Sequence, residues 1–408
     1  MEASNTDDYL AYCRDVYTFY NRLQELIHNW RHSATVVAYT LCLPPVDVPL
    51  RGFYDELDHM RIRKEDFPSS DSPDFYVKHA GRQIDSMLKA ADIQLAVLSG
   101  KTFDPLLLRR ELYGIDLEDW FPRASADADA GRDLVLQAIG KERMMELMSA
   151  SGEGSITGKE KIADHVNGFV ARALSKIGDF SYLTSTERQS LREKASYKLD
   201  FTLAPGHVMR ITPGEKTMYF DADYHFSPTF LDFILSHDYC GHGFHDTLTN
   251  EILGKERPDV FRTWYDDECD MFSCFGEGMS CYVERVVPAF LGLSKDVTDY
   301  LHVRQRLWLP LRVVLDMKIN VQKMPVEEVL VFLNQYGFPA DFNKYVIDSI
   351  VFHNMGYMSV YYPSLRRMEE LQRRHGVSDF DFYQLLITAG NMTIELFEEY
   401  LTAKLAKA

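Results

Sequence analysis

Hydrophobic residues recur at three- and four-residue steps along most of this chain, and that period restricts it to helices packed on helices. Between residues 8 and 31, Tyr9, Leu10, Val16, Tyr17, Tyr20, Leu23, Leu26 and Ile27 form one apolar stripe. The pattern returns near 80–100, 133–149, 159–177, 186–199, 296–317, 325–335, 342–375 and 380–405. Pro44, Pro45 and Pro49 break the first helical block, and Pro68, Ser69, Ser70, Ser72 and Pro73 mark a loop. One stretch departs from the helical period. Residues 201–226, FTLAPGHVMRITPGEKTMYFDADYHF, place turn residues between short β-prone runs and predict a small hairpin. The fold class is therefore mostly α, with one small β-hairpin ahead of the segment that carries the chemistry. No internal repeat is present.

With 408 residues the chain exceeds one ordinary domain, although a helical enzyme of this size can share one core. The small, polar run SASGEGSITG at 149–158 divides an N-terminal helical region, 1–150, from a second region, 159–408. The same run falls short of a phosphate loop, because Gly154 and Gly158 are too close and Glu160 stands where a serine or threonine would bind magnesium. A net charge of −17 repels phosphate backbones and anionic lipid, so neither nucleic acid nor membrane is an expected partner. The start, MEASNTDDYLAYCRD, lacks the basic and apolar runs of a secretion signal, and no stretch approaches the ~20 apolar residues of a membrane span. Cys13, Cys42, Cys240, Cys269, Cys274 and Cys281 show no paired spacing and are too sparse for a disulfide scaffold, which points to a reducing cytoplasm.

The chemistry concentrates in LSHDYCGHGFHD, residues 235–246. Three of the chain's 13 histidines, His237, His242 and His245, fall there. Neutral imidazole is a strong zinc ligand, and a catalytic zinc site typically has three protein ligands. On an ideal helix His242 and His245 share a face, and so do Asp238 and His242, whereas His237 and His242 do not unless Gly241 sits at a kink or π-bulge. A third ligand has to come from another element. Glu277, flanked by Gly276 and Gly278 in FGEGMSCYVERV, is the natural candidate, with Glu284 two turns later as support behind a ligand. Cys240, inside the motif, suits packing against the kink better than ligation.

From about Gly206 onward the chain resembles the bacterial domain-of-unknown-function family 885, helical zinc peptidases of the gluzincin type. Four pieces carry the resemblance, in the family's order. HDYCGH is similar to HExxPGH with one residue fewer, and EGMSCYVE at 277–284 to EGWALYAE. RVVLDMKIN at 312–320 is similar to RLVVDxGIH, and FYQLLITAGNMTIELFEEYL at 382–401 to the closing FHDxLLxxGxLPLxxLEE segment. The resemblance implies a gluzincin-like architecture with His237, His242 and Glu277 as metal ligands and zinc as the metal. It makes Asp238, in place of glutamate, the general base. It puts Asn320 where the family has a histidine, and Tyr361 at its tyrosine, both able to steady an oxyanion, with Tyr357 shaping the pocket. Aligning GH without a gap gives a second ligand set, His242, His245 and Glu277, with Asp238 alongside. Arg312 and Asp316, one turn apart, read as a structural pair.

These features lead to a zinc-dependent hydrolase acting on a peptide or a small amide-containing molecule. The departures at Asp238 and Asn320 fall at the reacting positions and keep two other readings open. One is a specialised biosynthetic metalloenzyme without peptidase activity, using iron or manganese. The other is a degenerate fold that binds a ligand without catalysis. Glu56 and His59 form an ExxH, which with Asp238, His242 and His245 would suit a dinuclear iron centre. Asp266, Asp267 and Asp270 match a magnesium-diphosphate pattern but have no evident downstream partner.

Overall fold

The structure, a computed structural model, describes residues 49–67, 75–148, 155–203, 208–253, 271–338 and 356–406, with part of 11–27 and of 343–350. Helix accounts for 77% and strand for 4%, so the fold is mostly α. In the first half, helices Arg51–Lys64, Phe75–Leu98, Pro105–Tyr113 and Leu117–Ile139 precede the shorter Lys141–Met148. Starts and stops follow local chemistry. Asp104 caps Pro105–Tyr113 by accepting from the Leu106 N–H, and Gly114 closes it in the left-handed region. Thr184 and Glu187 form a capping box on Ser185–Lys194.

The β-prone stretch forms the expected hairpin and one strand more. β1 (Lys198–Asp200) pairs in parallel with β3 (Thr217–Phe220), and β2 (Met209–Thr212) pairs antiparallel with β3 from Met209↔Phe220 to Thr212↔Thr217. The edge strand β1 corrects the helical reading of 186–199: the helix ends at Lys194, and Lys198 and Leu199 are strand, because three residues carry too little alternation to register against the helical period. The sheet lies under the histidine motif: a Cβ added at Gly243 would come within 3.2 Å of the Ile211 Cδ1.

The site rests on four helices. The motif helix, Pro228–His237, begins where Ser227 accepts from the Phe230 N–H and proline takes the first turn, where no N–H is needed. The carboxylate helix is Met271–Leu291, the arginine helix Leu309–Asp316 and the tyrosine helix Tyr361–His375. The carboxylate helix packs along the tyrosine helix with almost no gap: a Cβ at Gly278 would stand 2.7 Å from the Ser364 Cβ and 3.0 Å from its carbonyl carbon.

One apolar core runs from Tyr12 and Ile84 through Val166 and Leu235 to Leu386 and Leu401, and so takes side chains from both sides of residues 149–158. A second, around Val297, Leu307, Trp308 and Leu311, meets it across the motif helix, where Phe233 faces one and Leu235 the other. Residues 149–154 lie outside the described residues. The rest of that run is tied down: Ile156 exchanges backbone hydrogen bonds with Phe226 at 2.7 and 3.0 Å, and the Gly158 N–H donates to the Ala222 carbonyl. Pro44, Pro45, the 68–73 loop and the Asp266–Asp270 run also fall outside the described residues.

Candidate metal centre

The motif helix changes winding at the histidines. From Asp238 to Gly243 the backbone is π-helical. In an α-helix residues five apart point away from each other; the wider π turn, bonded i to i+5, stacks them. His237 and His242 are thereby brought together, their ring centroids 5.1 Å apart. Gly241 sits inside the turn where any larger residue would collide. A Cβ there would lie 2.5 Å from the Ser280 Oγ and 3.1 Å from the Ser280 Cα. The missing side chain thus lets the motif helix press onto the carboxylate helix, with the histidines beside Glu277.

Glu277 completes the group. Its Oε2 stands 3.2 Å from the His237 Nε2 and its Oε1 3.8 Å from the His242 Nε2. One ligand atom from each of the three residues lies within 4.8 Å of the others. Of the flanking glycines only Gly278 is required by space. A Cβ at Gly276 would meet His242 Cε1 at an ordinary 3.7 Å.

Behind the group, the His237 Nδ1 and Glu284 Oε1 are 2.6 Å apart. Glu284 is fully buried and is held in turn by Arg304, whose Nε and Nη2 donate to it at 3.2 and 3.3 Å. Arg304 also stacks over the Phe233 ring at 4.6 Å. In front, the Tyr357 hydroxyl donates a short hydrogen bond to Glu277 Oε1, and the Tyr361 hydroxyl donates to the Tyr357 hydroxyl at 3.2 Å.

The electrostatics favour a cation at this point. Burial opposes charge on Glu277, but His237 and His242 hold its carboxyl well below the usual range. Burial likewise opposes charge on Glu284, and Arg304 and His237 bring it below its ordinary value. Burial also works against a charged His237, yet contacts with Cys281, Glu277 and Glu284 raise its pKa well above normal. Asp238, half-buried beside these groups, is pushed up by burial and partly held down by His237 and His242. A buried imidazole between two carboxylates suits a metal ion chemically. One atom adds to the fit: the Glu277 Oε2, though near His237, has no partner in hydrogen-bond geometry. The His242 side chain is 26% exposed, against 9% for those of His237 and Glu277, so the group is open to solvent on the His242 side.

Four expectations meet a different arrangement. His245 is turned away, buried against Phe275 and bonded to the Gly390 backbone, and burial lowers its pKa to about 4. It belongs to neither group of potential ligands among the described residues. The Asn320 amide is engaged by Asp316, to whose Oδ1 it donates at 2.7 Å. Asp316 pairs with Arg109, not Arg312: the Arg109 Nε and Nη2 donate to its two oxygens at 2.6 and 2.5 Å, and the Ser359 hydroxyl adds a bond at 2.8 Å. Residues i and i+4 on one helix were the economical pairing, but a guanidinium arriving from Pro105–Tyr113 meets both carboxylate oxygens. Glu56 pairs with Arg22 at the surface, and neither Glu56 nor His59 joins a ligand group among the described residues.

Arg304 and Arg109 were not singled out from the sequence, yet both leave a trace there. Each interrupts an apolar stripe at helical spacing, Arg304 after Val297, Tyr300 and Leu301, and Arg109 between Leu108, Leu112 and Tyr113. A charge on a face that must be buried announces a buried counter-charge.

No family profile and no curated protein matches this chain. Among solved structures it is similar to the "putative lipoprotein" from Colwellia psychrerythraea, with a TM-score of 0.53 at 12% identity, over 89% of this chain and 65% of that one. It is also similar to a "putative lipoprotein of unknown function" from Shewanella oneidensis, with a TM-score of 0.47 at 11% identity, over 86% of this chain and 71% of that one. The chain spans 65% of the length of the Colwellia protein, and at such identity the likeness is one of fold.

Proposed function

We propose that this protein is a zinc-dependent hydrolase that cleaves an amide bond in a peptide or a small amide-bearing molecule, and that it is a divergent member of domain-of-unknown-function family 885. One observation carries the proposal: His237, His242 and Glu277 converge within 4.8 Å from two helices, with Glu284 on the far nitrogen of His237. A carboxylate in that second position fixes the imidazole tautomer and raises its basicity, as at catalytic zinc sites. Zinc bound by these residues would polarise a substrate carbonyl and make water a nucleophile near neutral pH.

The remaining roles belong to the chain's own groups. Asp238, next to His237 and half-buried beside the ligands, accepts a proton from the attacking water and returns it to the leaving amine. Tyr361 supplies a hydroxyl toward the carbonyl oxygen as negative charge develops. Tyr357, bonded to Glu277, holds the ligand carboxylate in place and lines the same wall. Asn320, engaged by Asp316, is assigned no part in the reaction.

The test is elemental analysis of the purified protein with His242→Ala and Glu277→Ala variants, followed by peptide and amide libraries. About one zinc per chain, lost in both variants together with hydrolysis, is the expected result. A protein that takes up no zinc, iron or manganese overturns the proposal.

A further inference from the structure

Three arginines are buried among the described residues, and two have carboxylates to meet them. Arg304 holds Glu284 and Arg109 holds Asp316. The third, Arg312, is 8% exposed and has no ion pair among the described residues. Its Nε and Nη1 are buried with no hydrogen-bond partner. What holds it is aromatic: its guanidinium lies 4.4 Å from the Tyr361 ring centroid and 5.1 Å from that of Trp308. Tyr361 is also the residue whose hydroxyl reaches Tyr357 above Glu277, and its ring stacks on His237 at 6.4 Å. One aromatic side chain thus separates a cation with no ion pair among the described residues from the ligand group.

A guanidinium withdrawn from water without a counter-charge is costly, and a ligand that supplied the anion would offset that cost. Its planar fork of N–H donors matches a carboxylate. We infer that Arg312 is a specificity-determining residue that binds a free carboxylate on the substrate, so that the enzyme acts on short peptides or amides carrying a carboxylate close to the scissile bond. This rests on the hydrolase reading for the word substrate, but the binding itself needs only Arg312. The two rings stand 4.4 and 5.1 Å from the guanidinium carbon and limit where it can move.

The probes are N-acetyl-Ala-Ala and its C-terminal amide, which differ in the terminal carboxylate alone. Titration calorimetry measures both, on zinc-loaded protein and on protein kept in chelator. The acid should bind about 10- to 100-fold more tightly than the amide, the range of a charged hydrogen-bonded contact. Arg312→Met, which keeps the volume and removes the charge, should abolish that preference without lowering the melting temperature. Arg312→Lys should retain part of it, which a purely structural role would not do. Equal affinities, or no binding of the acid, overturn the inference even if zinc binds normally. A preference that persists in chelator while zinc is never taken up would support Arg312 and count against the metal reading instead.

Discussion

Replacing Arg304 with methionine would leave Glu284 fully buried, with the His237 imidazole as its remaining charged neighbour. The substitution removes the contacts at 3.2 and 3.3 Å and the Phe233 stacking, while methionine fills most of the space. Breaking a buried pair from one side costs about 3–5 kcal/mol, because the other charge stays desolvated. A chain of 408 residues has an unfolding entropy of roughly 0.9 kcal/mol per kelvin, so the melting temperature should fall by about 3–6 °C. The double variant Arg304→Met with Glu284→Gln removes both charges and should regain most of that loss. Zinc affinity separates the two roles of Glu284. It should drop about 10- to 100-fold in the double variant and in Glu284→Gln alone, since either leaves His237 without its carboxylate. Circular dichroism melts and competition with a chromophoric chelator give both readouts. The reasoning is refuted if Arg304→Met melts within a degree of the parent, or if the double variant is no more stable than the single one.

Three further predictions follow from packing and burial. Gly278→Ala gains helix propensity but drives a Cβ to 2.7 Å from the Ser364 Cβ and 3.0 Å from its carbonyl carbon, and should lose about 1–2 kcal/mol in urea melts; melts that match wild type would contradict that. Gly356→Ala is strained at φ +94° and would press on the Arg109 Cγ at 2.5 Å, so it should destabilise by about 1–3 kcal/mol; melts that match wild type would contradict that. His79 is fully buried, and burial lowers its pKa to about 3. The unfolded chain therefore takes up a proton near pH 6.5 that the folded chain refuses until about 3. Stability should fall by roughly 1.4 kcal/mol per pH unit below 6.5 on this account. His79→Gln should flatten the acid limb of a stability–pH curve by about one proton, and an unchanged slope would remove His79 as the cause.

The legible part of the site was the part written in residue types and local spacing. Helical period, capping residues and the turn-rich stretch before the motif are short-range signals, and the structure follows many of them, although Lys198 and Leu199 are strand and the helices Arg51–Lys64, Pro105–Tyr113 and Met271–Leu291 did not stand out by period. The ambiguity over His237, His242 and His245 was a question of winding. Five residues separate the first pair, so a choice between α and π turns decides which imidazoles share a face. That choice is made by Gly241 against Ser280, a contact between segments about forty residues apart that no spacing rule reports.

The sequence by itself determined a mostly helical chain, a small sheet before a histidine motif, and a short set of residues able to ligate a metal. It did so because propensity, periodicity and side-chain chemistry act over a few residues. Which carboxylate each buried arginine meets was left to the tertiary structure. Arg109 reaches Asp316 across 207 positions and Arg304 reaches Glu284 across 20, while Arg312 is left with aromatic rings. Buried charges are placed by the requirement that each find a partner in three dimensions, and that requirement is satisfied only when the helices pack.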